Sequence, residues 1–441
     1  MTAGTTALVD RLGVTLRAAG PGADPAVLLG LALRRNPRRA QLLVSRVLGK
    51  HVPTDPRLVR AAGLLLGGLA ADALVGRAPR ALPVDLLHAA VRGEPGAAAA
   101  LHGAALPSGP PVDPLVLGFA ETATALGHGV AEALRADYLH STRRPVPGVA
   151  AAGGFAEEHS HATDHLLLPA DPALLHGGRP LVLVDDELST GRTALNTIAA
   201  LHAAAPRAHY VVAALVDARP DASLAEGVAA LGARLDVVAL SRAAVHVPPD
   251  VHARADALRS ELAASQRGDT AAVRSERGDT APMRVDLADG WPAGLPVGGR
   301  HGFAAADHDR LDAALPALAA ALGVRPGERT LVLGTEELMA LPLRLAQVLA
   351  DAGCDVRFST TTRSPAVVAD EPGYALRDGL VFPSHDDPSD GPGDRFVYNV
   401  GRGWDHVVVV VDPPADTPAL ESGLLAALAP RTRRTTVVIT P

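Results

Sequence analysis

The stretch Leu181–Thr193, LVLVDDELSTGRT, decides how this chain is read. Its four leading apolar residues predict a buried parallel strand, with two acids, Asp185 and Asp186, at the C-terminal end. A Ser-Thr-Gly-Arg-Thr turn follows, then a helical pattern over Thr193–Ala204. In open α/β sheets ligands bind at this end of the strands. The turn offers backbone N–H groups from Thr190 to Thr193. The helix N-terminus adds partial positive charge, and Gly191 lets the backbone come close to a ligand. The hydroxyls of Ser189, Thr190 and Thr193 are further donors. Together these suit a phosphate dianion. The paired carboxylates stand where the vicinal hydroxyls of a sugar would lie if its phosphate sat in the turn. An ordinary strand with an acidic end and a hydroxyl cap accounts for one acid and one hydroxyl, not for the whole string. There is no GxxxxGK(S/T) loop in the chain, and the turn is not a GxGxxG turn.

Outward from this stretch, short apolar runs at Leu115–Leu117, Val211–Val216 and Leu235–Leu240 alternate with helical patterns such as Thr122–Leu134. Strand–helix alternation implies a parallel sheet covered by helices. Nearer the start, Arg39–Leu48 and Pro56–Leu74 carry apolar residues at helical spacing, which predicts a helical N-terminal part. The polar tandem repeat in Ser265–Pro282, SQRGDTAAVRSERGDTAP, reads as a flexible linker between residues 1–264 and 283–441.

The second part repeats the first in order and partly in letters. LVLGFAETATALGHGVAEALRADYLHSTRRP at Leu115–Pro145 resembles LVLGTEELMALPLRLAQVLADAGCDVRFSTTTRSP at Leu331–Pro365. Each is followed by a strand ending in Asp, LVLVDD at Leu181–Asp186 and VVVVVD at Val407–Asp412. This predicts two related Rossmann-like α/β domains with parallel sheets, the second a degenerate relative of the first. The second copy has Pro413 and Pro414 where the first has its turn, and proline has no N–H to give a phosphate.

Composition narrows the function. At roughly 100–200 residues per domain, 441 residues make two to four domains. A net charge of −7 and 3% aromatic residues argue against nucleic-acid binding. One cysteine, Cys354, excludes an internal disulfide and a multi-cysteine zinc site. The N-terminus does not read as a signal peptide. The apolar run Ala61–Ala71 is far shorter than the ~20 residues of a membrane span, so a cytoplasmic protein is expected.

Further candidates lie in loops that must face the turn. Gly118, Phe119, Ala120, Glu121 and Thr122 follow the strand Leu115–Leu117, either as a binding loop or as a plain strand-to-helix turn. Arg143 and Arg144 in HSTRR could clamp a pyrophosphate or an acidic base. EEHSHATDH at Glu157–His165 brings Glu158, His159 and His161 as substrate contacts or solvated loop residues, with a metal site at His159, His161 and His165 as the weaker reading. Lys50 is the sole lysine of the chain, kept for its compact ammonium or present by chance. The cluster Arg34, Arg35, Arg38 and Arg39 reads as a solvated helix face or an anion contact. In the second part Glu336, Glu337, Arg363, Ser364, Tyr374, His385, Asp386 and Asp387 are ligand candidates or turn and cap residues.

The string of apolar strand, Asp-Asp, and Ser-Thr-Gly-Arg-Thr resembles the phosphoribosyl pyrophosphate (PRPP) motif of type I phosphoribosyltransferases. Thr361–Pro365, TTRSP, resembles the motif of the TRSP domain found behind orotate-phosphoribosyltransferase-like domains in tellurium-resistance, stress-associated gene clusters. NPRR, VSRVLGKHVP, GFAETATALG, HSTRR and EEHSH are similar to the first domain of those fusions. The resemblance implies a type I phosphoribosyltransferase fold. It implies Mg²⁺-dependent transfer of ribose 5-phosphate from PRPP to a small nucleobase-like acceptor with release of pyrophosphate, in making a nucleotide-like metabolite. By the same resemblance Asp185 and Asp186 hold the ribose hydroxyls and, with Arg143, are the catalytic candidates. Ser189, Thr190, Gly191, Arg192 and Thr193 hold the 5′-phosphate, and Gly118–Thr122 is the pyrophosphate loop. Mg²⁺ is held mainly through substrate oxygens and water. The alternatives are a non-catalytic sensor of PRPP or nucleotides, and a phosphoribosyl hydrolase or phosphorolytic enzyme. A homodimer is compatible with either.

Overall fold

Glycines at 63, 67 and 68 in the run Pro56–Leu74 mark a helix that must be approached closely by another. In the computed structural model, which describes residues 8–36, 39–107, 112–155, 165–268, 281–385 and 393–441, that run is the longest helix of the N-terminal part. The chain begins with α1 (Leu8–Leu12), β1 (Thr15–Ala18), α2 (Pro25–Leu28), β2 (Leu29–Leu33) and β3 (Gln41–Ser45). Then come α3 (Pro56–Leu74), α4 (Val84–Val91) and α5 (Ala97–Ala105). Asp55 caps α3 by accepting from the Arg57 N–H, with Pro56 as its first residue. The helix expected over Arg39–Leu48 is instead strand β3, paired antiparallel with β2. Leu42 and Val44 are buried on alternate positions, so the period is two.

The first sheet follows: β4 (Leu115–Gly118), α6 (Thr124–Leu134), β5 (Asp137–His140), the small pair β6 (Gly153–Phe155) and β7 (His165–Leu167), β8 (Leu181–Leu188), α7 (Arg192–Ala204), β9 (His209–Asp217), α8 (Ser223–Ala230) and β10 (Arg234–His246). The order is β1-β10-β9-β8-β4-β5, parallel except for β1. Helix α9 (Val251–Gly268) carries the chain four residues into the segment expected to be linker. Residues 269–280 of that segment lie outside the described residues.

The second sheet is built from β11 (Met283–Asp286), α10 (Ala305–Ala321), β12 (Arg329–Gly334), α11 (Ala340–Asp351), β13 (Asp355–Thr360), the hairpin β14 (Gly379–Pro383) and β15 (Asp394–Tyr398), β16 (Trp404–Val411) and β17 (Thr432–Ile439). Its order is β11-β17-β16-β12-β13, all parallel. The two sheets share one sequence of strands: β5-β4-β8-β9 corresponds to β13-β12-β16-β17. The likeness reaches single hydrogen bonds. Ser141 N donates to Gly118 O at 3.0 Å, as Thr361 N does to Gly334 O. Ala120 N donates to Ser141 Oγ at 3.0 Å, as Glu336 N does to Thr361 Oγ1 at 3.1 Å. Thr142 Oγ1 accepts from Arg144 N at 3.0 Å, as Thr362 Oγ1 does from Ser364 N at 3.1 Å.

The strands divide their side chains between two faces. Val116, Val182 and Val184 of the first sheet and Val332, Val408 and Val410 of the second belong to one continuous core with α3, α6, α10 and α11. Leu181 and Leu183 face α7 and α8 on the outer side. Helices α3 and α6 meet at glycine: a Cβ on Gly67 would stand 2.5 Å from Ala133 Cβ and 2.9 Å from the Val130 carbonyl. Where α6 meets the second half, the Glu132 carboxylate lies between Arg60 and Arg344. Burial alone would raise its pKa, but the two guanidiniums outweigh burial and hold it below the usual range. The hairpin β2–β3 rests on the second half too, with Leu31, Leu33, Leu42 and Val44 packed with Tyr374, Phe396 and Tyr398. Each such buried side chain is worth about 1.5–3 kcal/mol. No helix among the described residues is long and apolar enough to cross a membrane.

Candidate active site

Strand β8 runs four residues beyond its apolar start, so Asp185, Asp186 and Glu187 are carried out along the strand before the chain turns. Gly191 takes the left-handed conformation at φ +77° and caps α7 without any side-chain cap bond. A Cβ there would press on Leu224 at 3.1 Å besides straining the backbone. Gly191 has no side chain to cap α7, and the Arg192 amide that opens the helix donates to Thr190 Oγ1 at 3.4 Å. The turn, the acids and the loop after β4 line one cleft of about 1150 Å³.

Sheet order sets what lies beside what. The turn follows β8, the next strand β4 ends in Gly118–Thr122, and β5 leads into Arg143. A Cβ on Gly118 would stand 2.4 Å from the Tyr138 hydroxyl. Phe119 N donates to Val184 O at 3.0 Å and ties this loop to β8. Lys50 reaches in from the N-terminal part, where its ammonium donates to Thr122 Oγ1 at 2.6 Å and stands 4.0 Å from Glu121 Oε2. Arg143 Nη2 lies 3.4 Å from His165 Nε2, and His165 Nδ1 lies 2.8 Å from Ser141 Oγ. An arginine only donates, so this contact places the imidazole proton on Nδ1.

The second half closes the cleft. Thr362, Arg363, Ser364 and Arg395 line the same cavity. Arg363 Nε donates to Glu336 Oε2 at 2.5 Å and lies 3.0 Å from Glu121 Oε1. Arg395 pairs with the other oxygen of Glu336. Burial and the nearby Glu336 raise the pKa of Glu121, against the pull of Lys50, Arg363 and Arg143. Burial acts on Glu336 as well, but Arg363 and Arg395 prevail and lower it. On the far side of the acids, burial and Asp186 raise Glu187 to about 7, opposed by Arg34 and Arg39 of the β2–β3 hairpin.

A family model described as "Phosphoribosyl transferase" matches residues 28–244, and one described as "TRSP domain C terminus to PRTase_2" matches residues 297–428. Residues 28–244 belong to this phosphoribosyl transferase family, with a TRSP domain behind them. No curated protein matches it significantly. Among solved structures it is similar to adenine phosphoribosyltransferase from Rhodothermus marinus, at 20% identity and TM-score 0.21, covering 28% of this chain and 67% of that one. It is also similar to adenine phosphoribosyltransferase from Trypanosoma brucei, at 15% identity and TM-score 0.21, covering 29% and 55%. Orotate phosphoribosyltransferase from Aeropyrum pernix follows at 24% identity and TM-score 0.18, covering 28% and 59%.

Of the candidates read from sequence, the cleft of this phosphoribosyl transferase gathers Lys50, Phe119, Ala120, Glu121, Thr122, Arg143, Asp185, Asp186, Ser189, Thr190, Gly191, Arg192 and Thr193, together with Arg363 and Ser364 of the TRSP domain. Gly118 supports the loop from behind. Glu337 stands elsewhere, buried between the halves, where Arg300 Nε donates to it at 2.7 Å and Thr142 Oγ1 at 3.0 Å. Burial would raise its pKa, but Arg300, His140 and Arg144 bring it down to about 2. Arg144 Nη1 donates to Asp412 at 3.3 Å. Tyr374 is buried under the β2–β3 hairpin, accepting from Leu33 N and donating to Val367 O, both at 2.8 Å. Glu158, His159 and His161, and also Asp386 and Asp387, lie outside the described residues.

Sequence reasoning missed Glu187 and Arg395. Glu187 stood in the deciding stretch itself, an acid continuing the strand toward its ligand end. Arg395 had no local signal. Of the basic cluster, Arg34, Arg35 and Arg39 lie in the connection between β2 and β3 rather than on a helix face, and Arg38 lies outside the described residues.

Proposed function

We propose that the chain is a PRPP-dependent phosphoribosyltransferase that joins ribose 5-phosphate to a nucleobase-like acceptor and releases pyrophosphate. The observation that carries this reading is one cleft holding the Ser189–Thr193 turn, the Asp185–Asp186 pair and the Gly118-to-Thr122 loop side by side. The 5′-phosphate takes the amides at the start of α7 and the hydroxyls of Ser189, Thr190 and Thr193. Asp185 and Asp186 accept from the ribose hydroxyls and stand near the cationic charge that develops at the anomeric carbon. Asp185 Oδ1 also accepts from the Asp186 N–H at 2.9 Å, which orients the first carboxylate. Lys50 and Arg143 face the leaving pyrophosphate.

Mg²⁺ fits this donor set. Asp185 and Asp186 are an adjacent pair among the carboxylates that line the cleft, and no group of three or more His, Cys, Asp or Glu placed to hold a metal ion occurs among the described residues. That matches an ion held by one or two carboxylates, substrate oxygens and water. Asp185 and Asp186 would hold it, and it would neutralise pyrophosphate charge.

Calorimetric titration of the full chain with PRPP in Mg²⁺ tests this reading. The parent binds, and the double variant Asp185→Asn/Asp186→Asn binds about 100-fold more weakly, since two charged acceptors are lost. A parent that does not bind PRPP removes the donor assignment. A double variant that binds as the parent does removes the role of the two acids.

A further inference from the structure

We propose that the TRSP domain completes the donor site: Arg363 binds the pyrophosphate moiety of the donor. This rests on the PRPP reading above and adds to it a residue from the other half of the molecule.

Several independent features point the same way. Arg363 lines the cleft that holds Asp185, Asp186 and the Ser189–Thr193 turn. It reaches across the domain boundary to Glu121, in the loop where Lys50 also arrives. Around that loop stand four cations, Lys50, Arg143, Arg363 and Arg395, against three carboxylates, Glu121, Asp394 and, behind the wall, Glu336. The excess positive charge suits a polyanion, and the turn on β8 has donors for one phosphate only. A buried Glu121 with a raised pKa increases that excess when it takes a proton.

Accessibility separates the two arginines of the second half. The Arg363 side chain keeps 26% of its surface exposed, and the Arg395 side chain 4%. Arg395 fixes Glu336, and Glu336 fixes Arg363 at the cleft wall. The duplication supplies a further argument. Arg143 and Arg363 occupy the same place in the two copies, each following a threonine whose hydroxyl accepts from the amide two residues on. The second copy has kept this arginine turn although its own strand β16 leads into prolines rather than a phosphate turn. Its arginine serves the other copy's cleft.

The test titrates the full chain separately with inorganic pyrophosphate plus Mg²⁺ and with ribose 5-phosphate. Arg363→Ala weakens pyrophosphate binding about 10- to 100-fold, as loss of charge-assisted hydrogen bonds does, and leaves ribose 5-phosphate within about twofold of the parent. Arg363→Lys lies between, because an ammonium keeps the charge and loses the planar fork. The inference is overturned if Arg363→Ala binds pyrophosphate like the parent. It is also overturned if both ligands weaken together, which marks Arg363 as a tie between domains. If Arg363→Ala does not fold, Arg363→Lys decides, and parent-like pyrophosphate binding by that variant overturns the inference. A parent that binds ribose 5-phosphate but not pyrophosphate overturns this inference alone; one that binds neither overturns the PRPP reading beneath it.

Discussion

Glu187 stands one residue beyond the two aspartates, and its proton is held to about pH 7 by burial first and by the charge of Asp186 second. In the unfolded chain the same carboxyl titrates near the ordinary glutamate value of 4.5. Between those values the folded state binds more protons than the unfolded one, so the stabilisation is complete below pH 4.5 and is lost as pH rises through 7. Glu187→Gln should therefore gain on the parent as pH increases, by on the order of 2–3 kcal/mol at pH 8. Denaturant unfolding at pH 5 and pH 8 measures this, and a difference that does not grow with pH would sink the assignment. The site's principal residues were legible because they are contiguous: turn, acids and strand sit within thirteen letters. Arg395 was not legible, because nothing local distinguishes it. Its meaning comes from Glu336, to which only the folded chain brings it.

At the scale of elements, close packing of α3 against α6 rests on missing side chains. Gly67→Ala places a methyl 2.5 Å from Ala133 Cβ and 2.9 Å from a backbone carbonyl, so the helices must separate. The expected loss is about 1–3 kcal/mol, seen as a lower thermal midpoint. Gly103→Ala in α5 is the matching control. A Cβ there meets nothing within 4 Å, and helix propensity favours alanine by up to about 1 kcal/mol. Equal effects of the two substitutions would contradict the packing. The same scale shows where sequence patterns mislead. Pro56–Leu74 was legible as a helix because it has a proline start and a long apolar repeat. Arg39–Leu48 was not legible as a strand. Ala40, Leu43, Val44 and Val47 fall at helical spacings by coincidence, and the strand is decided by its partner Leu29–Leu33 and by the second half beneath it.

For the whole molecule, the two sheets share one core through α3, α6, α10 and α11, and the Arg60–Glu132–Arg344 group bridges the halves. Neither half can unfold without exposing the apolar surface of the other. Scanning calorimetry of the full chain should show a single cooperative transition, its calorimetric and van't Hoff enthalpies agreeing. Two separated transitions would mean that the halves are thermally independent. The duplication itself was legible in the letters of Leu115–Pro145 and Leu331–Pro365. The meeting of the two copies at one cleft was not, because it depends on how their helices pack.

That meeting is reciprocal. The loop of the first copy touches the Thr-Arg turn of the second at Glu121 and Arg363, and the loop of the second touches the Thr-Arg turn of the first at Glu337 and Thr142. Twin subunits facing each other in this way, if encoded by one gene, receive every substitution in both places at once. Two copies in a single chain are free of that rule. A change that would ruin one cleft can be kept in the other: the second copy has Pro413 and Pro414 where the first has its Ser189–Thr193 turn, while its Arg363 lines the first copy's cleft. The symmetry has become a division of labour, with one half carrying the Asp-Asp strand and its turn and the other lending their cleft a wall.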